Sequence, residues 1–263
     1  ETLPLSQRLI LEVHQVLMDS VRGHGKAPGQ YRKIPNWIGP AGCTVEEAFF
    51  IPISADKLPE GMSLFEKYIH EESVPDALIQ LAVLHAEFEA LHPFLDGNGR
   101  LGRMLIPLFL WQKGLIYQPM FYISAFFERN RDEYYERLRA VSKNGDWSGW
   151  CAFFLKAVAV QAGENEVKAT AIIDLYNAKK LALVELTHSQ YGIVALDWIF
   201  EHPIFKSTDF IQSVHIPEQT ARRILNQFRD TGWLATLEEA SGKRPAVFGF
   251  VELLNIAEGK RLF

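Results

Sequence analysis

His92-Pro93-Phe94-Leu95-Asp96-Gly97-Asn98-Gly99-Arg100-Leu101-Gly102-Arg103 is the stretch that decides the reading of this chain. Before it, Leu78, Leu81, Ala82, His85, Phe88 and Leu91 recur at helical spacing. That helix begins near Asp76, a good N-cap, and must stop at His92-Pro93. After it, an apolar helix runs from Arg100 to Gln112 and ends at Gly114. The segment is therefore a tight loop between two helices. Gly97 and Gly99 can take positive φ without steric cost, and Asn98 tolerates such conformations better than most residues. Consecutive N–H groups in such a turn converge on one point, where the positive end of the next helix also faces. Arg100 and Arg103 lie one turn apart on one helix face and add two guanidinium forks. The combination suits a polyphosphate. Asp96 is a hard oxygen ligand suited to Mg²⁺ shared with phosphates, and His92 can serve as a general base near neutral pH.

Other motifs fail on context. Gly97-x-Gly99-x-x-Gly102 spells a dinucleotide fingerprint, but a helix precedes it where a strand is required. No Lys-Ser/Thr follows the glycines, protein-kinase signatures are missing, and His-Glu-x-x-His does not occur. The 263 residues are 48% apolar and 22% charged, which supports a sizeable globular core. A net charge of −5 argues against a chain coated in nucleic acid. Two cysteines, Cys43 and Cys151, exclude a disulfide scaffold and a Cys-rich zinc site; they fit a reducing compartment and hence a cytoplasmic location. The densest apolar run, Met104 to Trp111, is short and contains Pro107, so no membrane partner is expected.

Outward from the loop, Leu9, Ile10, Val13, Val16 and Leu17 predict a helix over 5–21, broken by Gly23, Gly25, Pro28 and Gly29. Residues 31–53 are rich in β-formers around Gly39-Pro40-Ala41-Gly42 and read as a short hairpin or flap. Further helices are expected at 63–71, 128–142, 147–161 and 165–186. His85 reads as a core residue on the apolar stripe, as do Trp147, Trp150, Phe153 and Phe154. Beyond Leu186, three helices (191–201, 208–213, 218–229) precede a terminal hairpin, 233–237 with 246–250, turning at Ser241-Gly242-Lys243-Arg244. That order suggests a winged helix-turn-helix.

The loop resembles the signature of the Fic family, His-x-Phe-x-Asp/Glu-Gly-Asn-Gly-Arg-x-x-Arg, with every specified position filled. Tyr31-Arg32 and Asn36-Trp37-Ile38-Gly39 resemble the family's approach to its flap, and Phe49, Phe50, Ile51 and Pro52 the flap itself. Residues 128–135, Gly145-Asp146-Trp147 and Phe153-Phe154-Leu155 are similar to the helices that close its nucleotide pocket. The likeness covers about residues 5–160. It implies a mainly α fold: a helical core with a small β-hairpin flap over 1–187, then a winged helix-turn-helix over 188–263. It also implies an enzyme, a protein adenylyltransferase moving AMP from ATP to a Ser, Thr or Tyr hydroxyl of a target protein and releasing pyrophosphate. His92 would take the hydroxyl proton. The Gly97 and Gly99 backbone N–H groups and the Asn98 side chain would hold phosphates and developing charge, Arg100 and Arg103 the outer phosphates, and Asp96 the Mg²⁺. Phe94 would anchor the loop. Tyr135 and Ser142 would line the adenine pocket, and Phe49 to Pro52 would add a strand to the target.

Many members also carry an inhibitory helix, Ser/Thr-x-x-x-Glu-Gly/Asn, whose Glu meets the second motif Arg, here Arg103. The nearest match is Glu258-Gly259, with Leu254 where Ser or Thr belongs. As the chain starts at Glu1, the expectation is that a longer protein carries this helix in an N-terminal segment. Related activities, removal of AMP or another phosphoester transfer, share the same arrangement. An alternative is a nucleotide-sensing, DNA-binding regulator. Arg222, Arg223, Arg229, Lys243 and Arg244 stand where a winged helix touches DNA. Yet residues 188–263 hold eight basic against nine acidic residues, which favours a structural or protein-docking role. A homodimer is compatible with the sequence.

Overall fold

The computed structural model describes residues 4–19, 26–40, 42–242 and 244–261. Glu1, Val21, Gly23, Gly25, Ala41 and Lys243, which enter the sequence reading, lie outside these. The chain forms two compact units, the first ending at Gly163 and the second beginning at Glu164. The architecture is mainly helical with one small sheet. No helix of the described residues is long and apolar enough to cross a membrane.

The first unit opens with α1 (Gln7–Met18), capped by the Ser6 hydroxyl, which accepts from the Leu9 N–H at 3.4 Å. Its buried line is Ile10, His14, Met18, one residue every fourth position. Val16, expected in the apolar stripe, is 77% exposed, and a histidine takes a core position. α2 (Leu58–Ile69) starts five residues ahead of its expected start, because Pro59 falls in the first turn, where no N–H is needed. α3 (Ala77–Leu91) is the central helix, buried on nearly every side. Asp76 Oδ1 caps it, accepting from the N–H groups of Leu78 (2.8 Å) and Ile79 (3.0 Å). α4 (Asn98–Gln112) packs on α3 and begins two residues before Arg100, its expected start. The segment expected as one helix over 128–142 is two, α5 (Ser124–Arg129) and α6 (Arg131–Asn144). At the break the Asn130 side-chain N–H₂ donates to the Phe126 carbonyl at 2.8 Å.

α7 (Trp147–Thr187) is a single helix where two were expected. Its first turns bring Trp150, Phe153, Phe154 and Ala157 into the first core, and the Trp150 indole N–H donates to the Ala82 carbonyl at 2.7 Å. Its later turns bring Leu175 and Leu183 into the second core. The second unit thus begins inside the stretch that the sequence reading gives to the catalytic domain, 1–187, because those side chains pack with 188–263.

The second unit continues with α8 (Gly192–Glu201), β1 (Ile204–Lys206), α9 (Ser207–Ser213), α10 (Glu218–Asp230), β2 (Ala235–Glu238), β3 (Val247–Gly249) and α11 (Val251–Glu258). The sheet has the order β1-β3-β2, all antiparallel, with Phe248 opposite both Phe205 and Thr236. The hairpin β2–β3 was expected; β1 and α11 were not.

In the flap, Ile38 and Phe50 form an antiparallel bridge, and the Ile38 N–H donates to the Phe50 carbonyl at 2.9 Å. A short 3₁₀ turn, Val45–Glu47, connects the two sides. Phe49 and Ile51 are exposed, Phe50 is half-buried and Pro52 is buried.

Candidate active site

His92 ends α3 in the left-handed region, φ +46° and ψ 60°. A non-glycine residue holds this conformation only where its surroundings fix it. Arg32 supplies much of that restraint. Its guanidinium is buried and donates to the carbonyls of His92 (2.9 Å), Leu91 (3.3 Å) and Ile34 (3.4 Å), and to that of Ile53. One cation thus satisfies the carbonyl end of α3 and ties both ends of the flap to it. The Asn36 side-chain N–H₂ adds a bond to the Phe94 carbonyl at 3.0 Å.

His92 Nδ1 lies 3.3 Å from the Glu89 carbonyl. A carbonyl can only accept, so Nδ1 carries the proton and Nε2 the lone pair. Burial pushes the imidazole down to about 4, and the Arg32 charge pushes the same way against the Glu89 carbonyl and Asp96. His92 is therefore a neutral base at neutral pH.

The loop is held from below. His14 is fully buried and stacks on Phe94, with ring centroids 3.7 Å apart and 11° between planes. Its Nδ1 accepts from the Gly29 N–H at 2.9 Å, so its Nε2–H donates to the Asp96 carbonyl at 3.0 Å. Burial lowers its pKa, in line with the neutral ring that these two bonds require. Asn98 closes the loop from inside: its Oδ1 accepts from the Phe94 N–H and its Nδ2 donates to the Phe94 carbonyl, both at 2.8 Å. This corrects the expectation that the Asn98 side chain faces phosphate, because it is buried and bound to backbone at both ends. The Gly97 N–H is likewise taken, by Asp96 Oδ1. Gly97 has the expected positive φ, +83°. The donors at the start of α4 are instead the N–H groups of Asn98, Gly99 and Arg100, since the ladder starts with the Leu101 N–H on the Gly97 carbonyl at 2.9 Å.

A cavity of about 390 Å³ opens beside this helix end. Six residues predicted from sequence line it together: His92, Gly99, Phe49, Phe50, Tyr135 and Ser142. Asp96, Gly97, Asn98, Arg100, Arg103, Ile51 and Pro52 are outside its lining. The Asp96 carboxylate is half-exposed, 3.8 Å from the Arg100 guanidinium, a spacing worth little at a wet surface. Among the described residues no cluster of three or more potential metal ligands exists. A lone exposed carboxylate beside a phosphate cradle does fit Mg²⁺ held jointly with substrate phosphates and water.

Sequence reasoning missed His14, Arg139 and Glu89 here, and gave Arg32 only as part of the approach to the flap. His14 was detectable only as a polar residue on the Ile10–Met18 line. Arg32 carried no local signal for its capping role. Arg139 and Glu89 line the cavity, and the Arg139 guanidinium lies 5.5 Å from the centre of the Phe49 ring. His85 is the core residue expected: its Nε2 is 2.9 Å from the Tyr134 hydroxyl and its ring lies nearly parallel to Trp150.

Residues 4–110 match the model of the Fic/DOC family. The chain is 30% identical over 135 residues to a probable protein adenylyltransferase of Aquifex aeolicus, which covers 51% of this chain and 36% of that relative. It is 28% identical over 142 residues to the protein adenylyltransferase Fic of Drosophila erecta, covering 52% and 24%. This chain thus spans about a third or less of the length of these relatives. A crystal structure of a Fic family protein from Desulfovibrio desulfuricans superposes with a TM-score of 0.53 at 23% identity, over 93% of this chain and 68% of that one. The fold, the filled loop signature and the matched segment agree: this chain carries a Fic/DOC family domain over residues 4–110.

Proposed function

We propose that this chain transfers AMP from ATP to a hydroxyl side chain, Ser, Thr or Tyr, of a target protein, releasing pyrophosphate. The observation that carries the reading is the neutral His92, its Nε2 lone pair free for a proton, on one cavity with the amino-terminal turn of α4. His92 takes the hydroxyl proton as the oxygen attacks the α-phosphorus. The N–H groups of Asn98, Gly99 and Arg100 and the dipole of α4 hold phosphate oxygens, and Arg100 and Arg103 neutralise the outer phosphates. Tyr135 and Ser142 line the region for the base. The exposed side of the flap, at Phe49 and Ile51, pairs with the target backbone. Mg²⁺, held by Asp96 with the nucleotide, would supply charge neutralisation on the phosphates. The two free cysteines suit a cytoplasmic setting.

The test is ATP labelled on the α-phosphate, with Mg²⁺ and cell extract. Label becomes covalently attached to protein, and His92→Ala lowers the transfer by about 10²-fold or more. Transfer of γ-label instead, or equal transfer by the variant, would overturn the reading.

The order helix–strand–helix–helix–strand–strand in 192–249 supports a winged helix-turn-helix in the second unit. Protein docking suits it better than DNA. On α10, Arg222 pairs with Glu218 at 2.7 Å and Arg229 with Asp230 at 2.9 Å. Arg223 donates to the Thr187 carbonyl at 3.1 Å, at the end of α7. Each cation expected to meet phosphate on this helix already has a partner within the chain.

A further inference from the structure

Glu89 is a carboxyl that the mechanism above does not use. It lies one turn before His92 on α3, is 91% buried, and lines the cavity. Its Oε1 has no hydrogen-bond partner. The face of α4 above it is bare: a Cβ added at Gly102 would meet Glu89 Oε1 at 2.6 Å. A Cβ added at Gly99 would lie 4.0 Å from the same oxygen and 3.3 Å from Arg103 Nη1. Two glycines thus open the helix just where the carboxyl sits, beside the first free amides of α4 and the second arginine. A buried carboxylate with an unbonded oxygen is costly, and a polyanion at its side would make it costlier. A neutral carboxylic acid at the same place is an O–H donor aimed at phosphate.

We propose that Glu89 is a further nucleotide-binding residue, a protonated carboxylic acid that donates its hydrogen to a phosphate oxygen of the bound triphosphate. The inference rests on the nucleotide reading of the cavity. Burial already pushes the Glu89 carboxyl up to about 7, against the pull of Arg103, so it is poised to take one proton when the anion arrives. The groups facing it do not take that role. His92 and His85 on its own helix are pushed down to about 4 and about 3, and Tyr134 on α6 is pushed well above its ordinary value, all chiefly by burial; none of the three titrates near neutrality. The arginines nearest it are Arg103 on α4 and, across the cavity, Arg139 on α6. Glu87, also on the cavity and also raised by burial, is the one neighbouring group that could mimic the effect. It serves as the control.

The experiment is calorimetric titration of the full chain with ATP in excess Mg²⁺, in buffers of different ionisation heat. Above about pH 7.5 binding takes up a proton. Kd weakens by about tenfold per pH unit for one linked proton, up to about pH 8.5. In Glu89→Gln the uptake vanishes and Kd changes by less than about twofold over the same range, because the amide donates without titrating. The variant therefore binds more tightly than the parent at the alkaline end. Glu87→Gln keeps the parent's proton uptake and pH slope. The ligand's own ionisation is common to all three proteins and cancels in the comparison. Zero proton uptake by the parent overturns the inference whatever the variants do, and leaves the nucleotide reading standing. So does a Glu89→Gln protein with the parent's pH slope, or a Glu87→Gln protein that has lost it. If the parent binds no ATP at all, the nucleotide reading falls and this inference with it.

Discussion

His14 shows how a single side chain sets the geometry of a loop 80 residues away. Both its ring nitrogens are bonded, one to the Gly29 N–H and one to the Asp96 carbonyl, while its face covers Phe94. Phenylalanine can keep the stacking and none of the bonds. His14→Phe is expected to lower stability by about 1–3 kcal/mol, because a buried donor and acceptor lose their partner. The misplaced loop should also weaken ATP binding. Urea unfolding and a nucleotide titration check both, and a variant with unchanged stability and binding would remove His14 from this role. At this scale the sequence was uneven. His92 was legible because its loop tolerates few other readings. Asn98 was legible as a member of the site but not in its task, since an amide can serve phosphate or backbone equally well and only the buried contact with Phe94 decides. His14 and Glu89 were silent, as each looks like one polar residue on an apolar helix.

Caps and breakers carried the elements. Asp76 marked the start of α3 correctly, because a carboxylate before an apolar run has one efficient use there. Gly163 misled. It lies in the gap between the two helices expected over 147–161 and 165–186, yet α7 passes through it. A lone glycine in a helix costs only about 1 kcal/mol against alanine, and residues on both sides favour the helix. A Cβ placed at Gly163 would meet nothing within 4 Å. Gly163→Ala is therefore expected to stabilise the chain by about 0.5–1 kcal/mol, by reducing the freedom of the unfolded state without a clash. A rise in the denaturation midpoint with an unchanged slope checks this, and a fall would mean that the glycine is needed for a bend. β1 and α11 escaped notice for a different reason. Three residues, Ile204–Lys206, are too few to show a period, and Val251–Glu258 follows β-formers that hide its start.

Across the whole molecule, the first core gathers Phe88, Phe94, Phe109, Trp150 and Phe154, and the second gathers Phe210, Phe228, Phe250 and Ile199. Among the described residues none is shared between these two clusters, although α7 contributes to both. Each core is an aromatic-rich assembly of its own, so each can melt as its own cooperative block. The cavity, with His92 and the flap, is lined entirely by residues of the first unit. A ligand that binds only the native form of one block stabilises only that block. Calorimetry is expected to give two transitions, of which Mg²⁺–ATP raises one. At a hundredfold excess over Kd the shift corresponds to about 2.7 kcal/mol. The transition that stays in place belongs to the second unit, and a destabilising change there, such as Phe228→Ala, should lower it alone by about 3–5 kcal/mol. One merged transition that moves as a whole with nucleotide would show instead that α7 couples the two cores into a single folding unit.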